Sequence, residues 1–180
     1  MSVENMTETT ILKVSSIIAI LASATVVGIF GYAALSGTSQ FAYAQKQGQS
    51  FHAKLTGKDE VPPKDTKATG NAEFTLTGEN NIGYKVSVND MEKVTAAHIH
   101  KGKVGENGPV VVTLFKTDSP SARSNGILSQ GTITSAKLEG PLAGKQLNDL
   151  TTMINNRDAY VNVHTEANPK GEIRGQMSSG

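Results

Sequence analysis

The chain has 180 residues, 17 basic and 16 acidic side chains for a net charge of +1, and neither cysteine nor tryptophan. The length allows one ordinary domain plus an appendage, and the missing cysteine excludes disulfides, thiolate metal ligands and a cysteine nucleophile. Charge of one sign is nowhere concentrated, which argues against a nucleic-acid-binding surface.

The appendage comes first. Val14 to Leu35 carries no charged residue and is rich in Ile, Leu and Val, and 22 such residues suffice to cross a bilayer as a helix. Ala42-Tyr43-Ala44 then offers the small-x-small triplet of a signal-peptidase site. Residues 1–44 therefore read as an N-terminal hydrophobic helix, either a cleaved secretory signal peptide or an uncleaved membrane anchor. Ala42-Tyr43-Ala44 favours the first and the length of the apolar run the second. Both place the rest of the chain outside the cytoplasm. Asn5-Met6-Thr7 fits a glycosylation pattern but precedes the apolar run.

Residues 45–50 form a short polar linker. After it, short alternating runs separated by turn residues predict an all-β, antiparallel domain over 51–178. Strands are expected near 51–55, 72–77, 83–88, 94–100, 109–115, 126–134, 159–165 and 172–177. Leu142, Leu147, Leu150, Met153 and Ile154 fall at helical spacing instead, and predict one short helix over 142–154. Asp59 and Glu60 read as part of a solvated loop. Gly102, Gly105 and Gly108 are not a dinucleotide fingerprint, because Pro109 leads into a valine-rich strand and not into a helix.

Three of the four histidines lie in two of these strands. Alternation puts Ala97 and Ile99 on one face of their strand, and His98 and His100 on the other. In the later strand Val161 and Val163 oppose Tyr160, Asn162 and His164. A hairpin with Val163 opposite Ile173 then gives both strands one apolar face and one polar face, the latter holding Asn162, His164, Glu172 and Arg174. Glu172 and Arg174 read as a same-face salt bridge.

Several blocks together resemble the chordin-type (CHRD) domain. They are Asp59-Glu60-Val61-Pro62-Pro63, Thr69-Gly70-Asn71-Ala72, Ala97-His98-Ile99-His100-Lys101-Gly102 with Asn107-Gly108-Pro109-Val110-Val111, and Tyr160-Val161-Asn162-Val163-His164-Thr165 with Pro169 to Gln176. The resemblance spans Phe51 to Met177. It implies a Greek-key β-sandwich, immunoglobulin-like or superoxide-dismutase-like, working outside the cell. In animal chordins the domain accompanies modules that bind secreted growth factors. That role is not carried over to so short a chain, and a fold-level likeness supplies no function by itself.

Two histidines at i and i+2 of a strand project from one face with Cα atoms ~7 Å apart. Joined by a third from another strand, they make a three-nitrogen set suited to copper or zinc with an open position. The His-x-His pair is also similar to the copper-ligand strand of copper–zinc superoxide dismutases, although four histidines are too few for that two-metal site. The candidate ligands are His98, His100 and His164, with His52 as an additional one and Glu172, Arg174 and Asn162 in support. In the alternative reading the same histidines tie strands together by hydrogen bonds, since a neutral imidazole both donates and accepts. Two functions follow as expectations. The first is a non-enzymatic extracellular or cell-surface binding module whose partner is a protein or an envelope component. The second is a mononuclear copper or zinc protein, carrying metal or dismutating superoxide. A structural adhesion role would differ from the first in requiring self-association.

Overall fold

The structure is a computed structural model and describes residues 48–180; the segment read as signal or anchor lies outside the described residues. The described residues form nine strands in chain order: β1 Ser50–Thr56, β2 Thr69–Gly78, β3 Asn81–Met91, β4 Val94–Lys101, β5 Val110–Lys116, β6 Ser124–Ile133, β7 Ala159–Thr165, β8 Ile173–Gln176 and β9 Ser178–Ser179. One α-helix among the described residues, α1, covers Leu147–Asn155. Among the described residues no helix is long and apolar enough to cross a membrane.

The sheet is antiparallel, in the order β5-β4-β7-β8-β1-β2-β3-β6, with β9 added beside β1. β8 and β1 are joined through the pair Thr56–Arg174. The two end strands of the sheet also meet. Ser129 Oγ of β6 and Tyr84 OH of β3 both donate to the Leu114 carbonyl of β5, each at 2.8 Å. With β5 and β6 brought together, β4 to β7 take the Greek-key arrangement, the fourth strand returning to lie beside the first. The sheet is thus nearly closed, in a barrel-like sandwich. Tyr84→Phe is expected to lower stability by about 1 kcal/mol, since Ser129 still serves the carbonyl. Urea unfolding of the single variant and of Tyr84→Phe/Ser129→Ala, which should lose more, checks this closure.

The period-2 pattern fills the interior. Phe51, Ala53 and Leu55 of β1, Ala72 and Phe74 of β2, Ile82, Val86 and Val88 of β3, and Val161 and Val163 of β7 are all buried. The β7–β8 register has Val163 opposite Ile173 and Asn162 opposite Arg174, as the alternation predicts. The helix starts later than its spacing suggests. Gly140–Leu142 forms a separate 3₁₀ turn, and α1 begins after Gln146, whose backbone N–H donates to Asp149 Oδ2 at 2.9 Å. An acidic side chain in the first turn also suits the helix dipole. Leu147, Leu150 and Ile154 then share the buried face.

Candidate metal centre

β4 lies between β5 and β7, and its pairing with β7 sets Ala96 opposite His164, His98 opposite Asn162 and His100 opposite Tyr160. His164 is therefore the diagonal neighbour of His98 on the same face, within reach of a long side chain. Register shifts against β5 fall on both sides of the His98–Ile99 pair, and such bulges re-aim the side chains beside them. The ring centroids are 4.9 Å apart for His98–His164, 5.6 Å for His98–His100 and 6.1 Å for His100–His164. One nitrogen from each ring lies within 4.8 Å of the other two.

Hydrogen bonds fix where each ring carries its proton. His100 Nδ1 lies 2.8 Å from the Gly108 carbonyl, and His164 Nδ1 lies 3.1 Å from the Pro169 carbonyl. A carbonyl oxygen only accepts, so both rings carry their proton on Nδ1 and keep a lone pair on Nε2. His98 Nδ1 faces His164 Nε2 at 3.0 Å, and so is the donor of that bond. His100 Nε2 is buried with no hydrogen-bond partner.

All three rings are neutral at pH 7. Burial, together with the repulsion that a protonated His98 would meet from His164, His100 and Lys116, lowers His98 from 6.5 to about 4. Burial also lowers His100 and His164, although the Gly108 and Pro169 carbonyls pull each the other way. Neutral imidazole is the form that ligates. His98 further borders an open cleft of about 580 Å³, lined by Thr95, Thr113, Lys116, Glu139 and Glu166 among others.

The face that carries the histidines is partly covered by the segments joining β1 to β2, β4 to β5 and β7 to β8. His98 and His164 stay half-buried, while the polar residues beside them are as buried as the core. Tyr160 is 2 % exposed, Asn162 3 %, Glu60 4 % and Arg174 1 %. The Tyr160 ring stacks on His100 at 4.9 Å with the planes 8° apart, and Arg174 Cζ lies 3.4 Å from the Tyr160 ring centre. Gly171, at φ 124°, brings the β7–β8 turn so close that a β-carbon there would collide with Glu60 Oε1 and lie 2.8 Å from Asn162 Nδ2.

Two expectations are corrected here. Glu172 and Arg174 do not form a salt bridge. Glu172 accepts from Thr66 Oγ1 at 2.9 Å and Thr165 Oγ1 at 2.7 Å, while Arg174 donates to the Lys103 and Glu106 carbonyls and to Asn107 Oδ1. Two residues apart on an extended chain, each meets a nearer partner on a different loop. Glu60 is not solvated but folded inward, against the amide of Asn162. The remaining candidate, His52, projects from β1 with its Nε2 3.2 Å from Ser178 Oγ, outside the group of three. Tyr160 and Gly108 had no functional signal in the sequence beyond lying in the matched blocks.

The arrangement is a β-sandwich with a cluster of three neutral histidines set into a polar layer beneath loops. The chain belongs to the CHRD domain family, whose model matches residues 51–177. It is 29% identical over 131 residues to chordin of Xenopus laevis, covering 68% of this chain and 12% of that protein. No solved structure matches.

Proposed function

We propose that this CHRD domain is a non-enzymatic binding module of the cell exterior, and that its ligand is a copper or zinc ion held by His98, His100 and His164. The external location rests on the leader-like composition of residues 1–44 and on the likeness to chordin. The observation that carries the metal reading is the unpartnered, buried His100 Nε2. The other hydrogen-bonded nitrogens of the cluster reach each other or the Gly108 and Pro169 carbonyls. His100 Nε2 makes no such bond and has beside it the Asn162 side chain, whose own Oδ1 is equally unpartnered. A buried polar atom without a partner is costly.

The donor set fits the ion. Metal-bound histidines ordinarily donate their second N–H to a carbonyl or carboxylate, as His100 and His164 already do toward Gly108 and Pro169. His98 would transfer its proton from Nδ1 to Nε2 and ligate through Nδ1. Nitrogens ~2.0–2.1 Å from a tetrahedral zinc are roughly 3.3 Å apart. The group, whose nitrogens lie within 4.8 Å of one another, would thus draw in by up to about 1.5 Å. Three protein nitrogens leave a fourth position, and the cleft beside His98 favours an exogenous ligand there. Superoxide dismutation is the second reading, favoured by that open position.

Equilibrium dialysis of the purified protein against zinc and copper(II) tests the proposal. One ion per chain is expected, with none in the His98→Ala/His100→Ala/His164→Ala variant. Equal uptake by both proteins sinks it. Superoxide decay with the loaded protein decides the second reading.

A further inference from the structure

The segment from Gly102 to Pro109, which joins β4 to β5, has almost no apolar anchor of its own; Val104 is 77 % exposed. Its ends are tied by the Lys101 N–H to the Pro109 carbonyl, the Gly102 N–H to the Asp158 carbonyl and Gln176 Nε2 to the Gly102 carbonyl. Between them it is held by Arg174, which reaches it from β8. Nη2 donates to the Glu106 carbonyl at 2.7 Å and the Lys103 carbonyl at 3.0 Å, and Nη1 to Asn107 Oδ1 at 3.2 Å. Asn107 passes the restraint on, its Nδ2 donating to the Val61 carbonyl at 2.8 Å. The next residue is Gly108. Its carbonyl takes the His100 Nδ1 proton, and its N–H donates to Tyr160 OH at 3.2 Å. Only glycine fits there, because a β-carbon would run into the Lys101 carbonyl. Arg174 therefore acts on the His100 ring by two routes, one through the 106–108 peptides and one through the Tyr160 ring between them. No carboxylate comes within ion-pair distance of this buried guanidinium among the described residues, so its bonds go to neutral oxygens.

We infer that Arg174 is a positioning residue for the three-histidine centre: by pinning the 102–109 segment it holds the Gly108 carbonyl on His100 Nδ1, and so aims the His100 Nε2 lone pair at the site. The nitrogen a histidine offers is set by the hydrogen bond its other nitrogen makes. The inference rests on the metal reading only for its consequence in binding, since the restraint on the ring exists without any ion.

The test uses ¹⁵N imidazole spectra of the metal-free protein, followed by zinc titration. In the unaltered protein His100 should show one fixed tautomer, protonated on Nδ1. Arg174→Met, which keeps a long chain against Tyr160 but donates nothing, should show averaged His100 nitrogens, with the His98 and His164 signals unmoved. Zinc affinity should fall about 10- to 100-fold, the usual cost of losing an outer-shell partner. Arg174→Lys keeps the charge without the planar fork, and should move His100 the same way if Arg174→Met fails to fold. A folded variant of either kind that retains the fixed tautomer overturns the inference. Averaged nitrogens in the variant, with no zinc bound by any form including the unaltered protein, would uphold the positioning role and remove the metal reading alone.

Discussion

Alanine at His100 is expected to weaken zinc or copper(II) binding by about 10²- to 10³-fold, and alanine at all three histidines to abolish it. Apparent binding energies of about 10–16 kcal/mol for four-ligand structural zinc sites put each ligand near 3 kcal/mol, or about 10²-fold. His100 should exceed that share and His98 fall below it. The His100 Nε2 lone pair is buried and unopposed, with the ring held by Gly108 and Tyr160. His98 must instead give up its bond to His164 Nε2 and move its proton before it can ligate. Copper(II) should bind more tightly than zinc, as nitrogen sites generally prefer it. Competition against a chromophoric chelator gives the order. Thermal unfolding gives an independent check, because free ion at 100 times the dissociation constant should stabilise the fold by about 2.7 kcal/mol. A single variant that binds as well as the parent would show that its imidazole is not a ligand.

Side-chain alternation made the frame of this site legible, and the same alternation concealed its setting. With a period of two, Ala97 and Ile99 had to face the core together, which put His98 and His100 on the opposite side. The Val163–Ile173 pairing followed from matching apolar faces, and with it the placement of Asn162 against Arg174. Alternation describes a strand against its own sheet and not what comes to lie over it. Much of the face called polar is buried, because the 57–68 and 102–109 segments and the β7–β8 turn fold across it. Their paths depend on glycine approaches and single hydrogen bonds, which have no period. Arg174 chose backbone carbonyls over Glu172 for this reason, and Glu60 left a stretch that reads as solvated. Similarly, the apolar spacing around Leu142 continues that of α1, but Gly144, at φ 73°, and the turn around it separate the two.

Glu60→Gln is expected to make the domain more stable at pH 8 while changing little near pH 4.5. Burial raises the Glu60 carboxyl from 4.5 to about 7, and Arg174, the Val61 N–H, Lys64 and Asn162 do not offset it. The folded state therefore binds this proton more tightly than the unfolded one. Its contribution is complete below about 4.5 and is lost as pH rises through 7, by an amount on the order of 3 kcal/mol. Glutamine ends that loss, since it stays neutral and keeps an oxygen that can accept from the Asn162 amide. The histidines act with the opposite sign. Their folded values lie below 6.5, so the unfolded chain takes up protons first, and stability present above pH 6.5 is lost toward about pH 4, where His98 titrates. Between pH 4.5 and 6.5 the Glu60 effect offsets part of the histidine effect in the parent, which should show a shallower pH dependence there than the variant. The variant, with only the histidine effect left, should lose stability steeply on acidification through that window. Urea midpoints at pH 5, 6.5 and 8 for both proteins decide the matter. Parallel curves would mean that the Glu60 carboxylate is compensated in the fold, and that the polar layer tolerates a negative charge beside the three histidines at neutral pH.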